Sequence, residues 1–355
     1  MENYQKALEQ IVITKPDEAV RRQVQKNWDM VAKPLDGMGT FEGLISQIGA
    51  ITGKTQICLD KKAVLVMCAD NGIVEEGISQ SGQEVTAAVA KEMTKGLSSV
   101  GKMAASIGTD VFPIDIGINI SEEIPGLLQK SVRKGTRNFR KEPAMTATEA
   151  WKAVYTGMDL VAEYKEKGYQ ILATGEMGIG NTTTSSAVIA SLLRCRAEQV
   201  TGRGAGLSDA GLLKKQKVSQ EAIEKYHLYE AEPFEVLRTV GGLDIAGLTG
   251  VCIGGAVYHI PIVLDGVISF AAALVAERMY PGVKAYLLPS HKGKEPAFES
   301  LMRELGLHPV IDARLALGEG IGAVMLFALL DMALCVYEGK TTFHDIEIQP
   351  YERFH

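Results

Sequence analysis

The feature that most limits what this chain can fold into is a short apolar run that recurs and each time gives way to glycine and polar residues. Ala63-Val-Leu-Val-Met-Cys68 leads into Ala69-Asp-Asn-Gly72, and the run at 169–173 leads into glycines 175, 178 and 180. These runs are continuous rather than alternating, which suits strands buried on both faces of a parallel sheet. Further runs stand at 111–116, 261–264, 285–288 and 309–311. Helical patterns separate them, at 85–105, 147–167, 185–193, 266–278 and 296–305. Thr146 and Glu149 form a capping-box signature at the head of the second of these, and Gly168 stops it. Strand–helix alternation of this kind predicts a doubly wound α/β protein with a mainly parallel sheet of about six strands.

Both chain ends fall outside the alternation. Residues 1–56 read as helical, with a charged amphipathic stretch at 18–33 ended by Pro34 and a helix at 41–51 that Thr40 is placed to cap. Residues 325–355 read the same way. The expected division is a large α/β domain over 60–324 and a small helical domain built from 1–59 and 325–355.

Composition narrows the function by exclusion. A net charge of −6 implies no general attraction to nucleic acid or to an anionic membrane. The first residues lack the apolar core of a signal peptide, and the longest apolar run, 321–337, is interrupted by Asp331 and short for a bilayer. The cysteines at 58, 68, 195, 252 and 335 include no Cys-x-x-Cys pair, and the histidines show no zinc spacing. A cytoplasmic protein without a structural metal is the expectation.

Ligands of doubly wound sheets sit at the carboxyl ends of the strands, and there the unusual residues gather. Gly175-Glu-Met-Gly-Ile-Gly-Asn181 lies between an expected strand and a helix opened by Asn181 and three threonines. Such a loop aims backbone N–H groups into one small space beside a helix N-terminus, a site for a phosphate. It lacks the lysine of a P-loop and the spacing of a dinucleotide fingerprint. Glu176 inside it calls for a ligand whose polar or cationic part lies near its anionic end. Asp70-Asn71-Gly72, Ser79 to Gly82, Gly202-Arg-Gly204, Lys215, Asp265-Gly266 and Ser290-His291 occupy corresponding strand ends. Each is either a site element or a plain turn. Glu319, between Gly318 and Gly320 before an apolar helix, reads either as a desolvated carboxylate with a raised pKa, suited to proton transfer, or as a helix-start glutamate favoured by the dipole.

Taken in order, Cys68-Ala-Asp-Asn-Gly72, Gly135-Thr-Arg-Asn138 with Pro143-Ala-Met-Thr146, and Gly175-Glu-Met-Gly-Ile-Gly-Asn-Thr-Thr183 form a series. It continues through Gly202-Arg-Gly204, Asp244-Ile-Ala-Gly247, Leu264-Asp-Gly266, Ser290-His291 and Leu317-Gly-Glu-Gly320. The series closely resembles the nicotinate-nucleotide–dimethylbenzimidazole phosphoribosyltransferases, over about Ala32 to Glu338. The resemblance implies a Rossmann-like large domain, a small helical domain from both ends, a homodimer, and Glu319 as the catalytic base. It implies phosphoribosyl transfer from nicotinate mononucleotide to 5,6-dimethylbenzimidazole or a related azole, in cobalamin nucleotide-loop assembly. Asn71 departs from the pattern, since many relatives carry histidine there.

The residues accord with that chemistry. Gly175, Gly178, Gly180, Asn181, Gly204 and Lys215 suit the phosphate end. Glu176 suits the ribose or the attacking base. Met177, Leu315 and Leu317 either hold a flat ring or are core. Ser81 matches a family position near the benzimidazole, but also reads as a turn residue. Asp265 and Asp244 bind ribose hydroxyls or cap the helices that follow them, and Ser290 belongs to the same strand-end set. The basic run 133–141 reads as a solvated loop. No metal or cofactor is called for, because the leaving pyridinium is already cationic. A nicotinamide-dependent oxidoreductase would carry the dinucleotide glycines after the first strand, where Ala-Asp-Asn-Gly stands. A non-catalytic nucleotide sensor would have no use for Glu319 between its glycines.

Overall fold

The run at 63–68 folds as β1 (Lys62–Ala69), buried along its whole length. The computed structural model, which describes residues 2–339 and 341–353, adds β2 (Asp110–Gly117), β3 (Leu128–Gln129), β4 (Ile171–Met177), β5 (Ile262–Leu264) and β6 (Leu287–Pro289). All pair in parallel, in the order β3-β2-β1-β4-β5-β6. This is the doubly wound Rossmann order, and the chain's direction of travel across the sheet reverses between β1 and β4, which opens a crevice at their carboxyl ends.

Six strands form, though not the six that the apolar runs mark. The run at 309–311 supplies only a single bridge, Ile311 to His291. The sixth strand is β3, whose two residues are too few to leave a pattern. β4 also runs past the expected end at 173, so Gly175 and Glu176 are strand residues paired with Val66 and Met67.

The helices are α1 (Glu2–Glu9), α2 (Glu18–Met30) and α3 (Thr40–Thr52), then α4 (Glu84–Thr94) and α5 (Ser99–Ala105) between β1 and β2. α6 (Ala147–Glu166) precedes β4. α7 (Asn181–Leu193), α8 (Asp209–Lys225), α9 (Pro233–Val240) and α10 (Leu243–Val257) follow it. α11 (Val267–Met279), α12 (Phe298–Leu305) and α13 (Ile321–Glu338) complete the set. The helix expected over 85–105 is two, because Gly96 takes φ +70° and Ser98 caps a fresh start through Gly101 N at 3.2 Å. Thr40 is not a cap; Gly39 holds that position and Thr40 lies in the first turn. The capping box at Thr146 and Glu149 forms as expected. Beyond Glu338 the described residues are not α-helical: apart from a 3-10 turn at His344–Ile346 they run irregularly, Thr342 bridging to Val31.

β1 divides its side chains by the period of two: Leu65 and Met67 face one apolar cluster, Val64, Val66 and Cys68 the other. On the first face α6 crosses α10 at backbone contact. A Cβ on Gly157 would lie 1.9 Å from Gly247 O, and one on Gly250 the same distance from Val154 O, so neither site admits a side chain. On the second face α2, α3 and α13 pack together over the sheet. Tyr337 ties them, donating to Thr55 O at 2.8 Å and accepting from Asn27 at 2.9 Å. α1 lies on the opposite face, Tyr4 against Tyr155. α13 is long and apolar enough to cross a bilayer, but 56% of it is buried in this packing.

Candidate functional site

At the carboxyl ends of β4, β5 and β6, beside the switch point, lies a cleft of about 210 Å³, lined by Glu176–Ile179, Asn181, Thr182, Gly204, Ala205, Gly266–Ile268, His291, Gly293–Glu295 and Leu315–Glu319. A larger groove of about 990 Å³ lies by Lys62, at the amino end of β1, remote from the strand ends. Chemistry and fold both favour the smaller one.

Glu319 reaches the cleft on an unusual turn. Gly318, Glu319 and Gly320 have φ of +89°, +62° and +102°, three successive left-handed residues of which only two are glycine. The turn lies flat on β4: a Cβ on Gly175 would sit 2.6 Å from Glu319 O. Asp265, at the end of β5, holds the turn from behind. Its carboxylate accepts Gly320 N at 3.1 Å, Gly322 N at 2.8 Å and Ala323 N at 3.3 Å. Asp265 is therefore buried beneath the cleft, capping α13 and not the helix that follows it in sequence. Burial pushes its carboxyl up to about 7, against the pull of those donors.

Glu319 itself is half-buried, so of the two readings open from sequence the enclosed carboxylate is not the one seen. The enclosed carboxylate is that of Glu176. Its residue surface is partly open to the cleft, but the charged end lies deep among protein atoms. Desolvation raises its pKa well above the usual range; Asp244, Asp265 and Glu319 push the same way, and the Asn181 amide, bonded to it at short range, pulls it back. Asp244, fully buried at the start of α10, is likewise pushed up by burial, to about 6.

Beside Glu176, at the start of α7, stands a corner whose residues suit an anion. α7 opens at Asn181 behind Gly180 (φ +95°), and the Thr182 hydroxyl accepts from Lys215 at 2.7 Å. Lys215 is 1% exposed; burial lowers it to about 8, with Glu295 opposing the shift. A Cβ on Gly204 would lie 2.8 Å from the Thr182 hydroxyl and 3.6 Å from the ammonium. Not every loop N–H is available: Ile179 N donates to Thr86 and Asn181 N to Gly178 O. Thr182 N donates to none of the described residues.

Of the sequence-marked residues, Glu176, Met177, Gly178, Asn181, Gly204, Gly266, Leu315, Leu317 and Glu319 meet in the cleft. Gly180 lines a crevice continuous with it, beside Ser79 and Gln80; Ser81 sits in the same turn, its N–H on the Ser79 hydroxyl. Lys215 lies just behind the lining, and Gly175 acts through packing. Ser290 is wholly buried, its hydroxyl donating to Leu264 O at 2.6 Å, so it is outside the lining. Asn71 is also buried, bracing the loop through Ile179 O. The basic run 133–141 is spent on ion pairs, Arg137 with Glu149, Arg140 with Glu76 and Lys141 with Glu75. Sequence reasoning gave no role to His291, Lys294 or Glu295, although Ser290-His291 was a marked motif, and it had no means of finding Val100, whose N–H holds Glu319.

The cleft sets two carboxylates, Glu176 and Glu319, with a buried lysine at a helix start on a doubly wound sheet, and comparison with known proteins makes the chain a phosphoribosyl-transfer enzyme. The phosphoribosyltransferase family model matches residues 13–348. The nicotinate-nucleotide–dimethylbenzimidazole phosphoribosyltransferase of Acetivibrio thermocellus is 44% identical over 93% of this chain and 94% of its own. That of Clostridium acetobutylicum is 42% identical over 95% and 96%. The crystal structure of CobT from Thermus thermophilus superposes with a TM-score of 0.89 at 34% identity, covering 94% of this chain and all of that one. The chain belongs to the nicotinate-nucleotide–dimethylbenzimidazole phosphoribosyltransferase family.

Proposed function

We propose that the cleft transfers the phosphoribosyl group of nicotinate mononucleotide to 5,6-dimethylbenzimidazole or a related azole, giving α-ribazole 5′-phosphate and nicotinate for cobalamin nucleotide-loop assembly. The observation that carries this is the pairing, across one cleft, of Glu319 on its left-handed turn with the Lys215–Thr182 corner. The corner takes the phosphate through the Lys215 ammonium, the Thr182 N–H and the positive end of α7. Gly204 leaves room for it.

The unprotonated azole nitrogen attacks C1′ as the bond to the pyridinium nitrogen breaks, and that electron pair leaves with nicotinate. Attack makes the second azole N–H acidic, and Glu319 takes the proton. Attack opposite the leaving group inverts C1′, so a β-nucleotide yields an α-product. Leu317 and Met177 supply an apolar surface for the ring, and Glu176, held by Asn181, orients the azole or the ribose.

The reading includes a cytoplasmic homodimer. Met332 and Val336, exposed on α13, give an apolar face that a second copy would cover. It also keeps 60–324 as the catalytic body, with α2, α3 and α13 as a unit packed on one face of it, supported by the Tyr337 contacts, while α1 packs on the other face. Incubating the protein with nicotinate mononucleotide and a panel of azoles, with chromatography of the products, tests the reading; release of nicotinate without a new nucleotide would overturn it.

A further inference from the structure

His291 stands two residues past the end of β6 and lines the cleft, yet only 4% of its surface is exposed. One edge of its ring is fully committed. Nδ1 lies 3.0 Å from the Ser290 hydroxyl oxygen and 3.9 Å from the Asp265 carboxylate. The Ser290 hydroxyl has already given its proton to Leu264 O at 2.6 Å, so towards His291 it can only accept. Nδ1 must therefore carry the ring proton. Gly322 presses on the same edge, where a Cβ would lie 1.9 Å from Nδ1, so the ring cannot swing away. Nε2 is left with a bare lone pair and no hydrogen-bond partner among the described residues. Burial lowers the ring pKa to about 4, so it stays neutral through the ordinary working range.

We propose that His291 Nε2 is a pre-set acceptor that receives a ribose hydroxyl of the nucleotide substrate, with Ser290 as the residue that fixes its tautomer. The assignment rests on the phosphoribosyl-transfer reading given above. A neutral lone pair repels phosphate and carboxylate oxygens, which are acceptors themselves, so the phosphate and the nicotinate carboxyl are excluded as partners. The donors left are the ribose hydroxyls and the azole N–H, and the azole N–H is required by Glu319. The ribose stands between the phosphate and the ring it exchanges, and His291 shares one lining with Thr182 and Gly204 at the phosphate end and with the Glu319 turn. His291 is thus a binding residue for the sugar, and Ser290 a positioning residue that acts through it.

The test is kcat/KM of wild type, His291→Phe and His291→Gln with nicotinate mononucleotide and its 2′-deoxy and 3′-deoxy analogues, at saturating dimethylbenzimidazole. Wild type should lose roughly 3- to 10-fold when one particular hydroxyl is removed, the size expected of one neutral hydrogen bond. His291→Phe should lose a similar factor with the natural substrate and nothing further with that analogue. His291→Gln, whose amide oxygen reaches near the Nε2 position, should recover part of the loss. If His291→Phe still discriminates between the analogues as wild type does, the assignment is overturned. It is equally overturned if the variant's loss follows changes in the azole. Absence of turnover by wild type would instead remove the underlying phosphoribosyl-transfer reading. Long-range ¹H–¹⁵N spectra of the wild-type protein give an arm independent of the variants: a protonated Nδ1 and a pyridine-like Nε2 are expected, the latter shifting when nicotinate mononucleotide is added. The opposite tautomer, or an unmoved Nε2, would overturn the proposal.

Discussion

Glu319 Oε2 accepts a hydrogen bond from Val100 N at 3.2 Å. The contact joins the turn ahead of α13 to the first turn of α5, across 219 residues of chain. It fixes one carboxylate oxygen and leaves the other for the cleft. With the left-handed turn below and Asp265 behind it, the carboxylate is placed before any substrate arrives, as a positioned base requires.

Glu319→Gln keeps the size of the side chain and an oxygen for Val100 N–H but cannot take a proton. The expected outcome is a fall in kcat of ~10²–10⁴, the usual worth of a general base, with binding of nicotinate mononucleotide nearly unchanged. Turnover within a few-fold of wild type would hand the role to Glu176.

Gly204→Ala should weaken binding of the nucleotide with little effect on kcat. The methyl group would enter the phosphate corner beside Thr182 and Lys215, on a backbone of φ +53° that an L-residue adopts only under strain. Gly178→Val is a poorer probe, because its Cβ would meet Ala69 O at 2.4 Å and so disturb folding as well as binding. With Lys215 lowered to about 8, wild type should also show KM for the nucleotide rising as pH passes that value. A KM indifferent both to Gly204→Ala and to alkaline pH would place the phosphate elsewhere.

Sequence periodicity carried the sheet because β1, β2 and β4 are long enough to show apolar runs buried on both faces. It failed where length or context decided. β3 is two residues, and the run at 309–311 has the right composition but gains only one bridge. α10 is so uniformly apolar and glycine-rich that it shows no helical face, since it is buried all round. At the site, the glycines were legible because backbone must approach backbone there. Which carboxylate is desolvated was not: Glu176 and Glu319 each have apolar or glycine neighbours in sequence, and only the meeting of β4 with the 318–320 turn buries one and leaves the other half open. Asp265 read either as a ribose ligand or as a cap for its own helix, and three-dimensional placement sets its carboxylate on the first N–H groups of α13 instead.

Tyr337→Phe tests the union of the chain ends. The hydroxyl gives one hydrogen bond to Thr55 O and receives one from Asn27, while the ring packs 5.0 Å from Trp28. Loss of both part-buried bonds, each worth about 0.5–1.5 kcal/mol, should cost about 1–3 kcal/mol in denaturant unfolding. The activity of the folded fraction should be unchanged, since the contacts lie away from the cleft. A drop in kcat without loss of stability would mean that the terminal helices bear directly on the active site.

Asp265→Asn gives a prediction whose sign depends on which force rules the buried carboxyl. Burial raises its folded-state pKa to about 7, above the ordinary 3.8. Between those values the folded chain holds a proton that the unfolded chain has released. Its contribution to stability is therefore complete below pH 3.8 and is lost as pH rises through about 7. The variant cannot titrate, and it loses part of its grip on Gly320, Gly322 and Ala323 at every pH, so wild type should be the more stable in acid. That advantage should shrink steadily between about pH 4 and pH 7, while the other carboxylates cancel in the difference. Chemical denaturation of both proteins across that range reads it out. An advantage that grows with pH would show that the three backbone donors outweigh desolvation, and that Asp265 holds the Glu319 turn as a carboxylate anion.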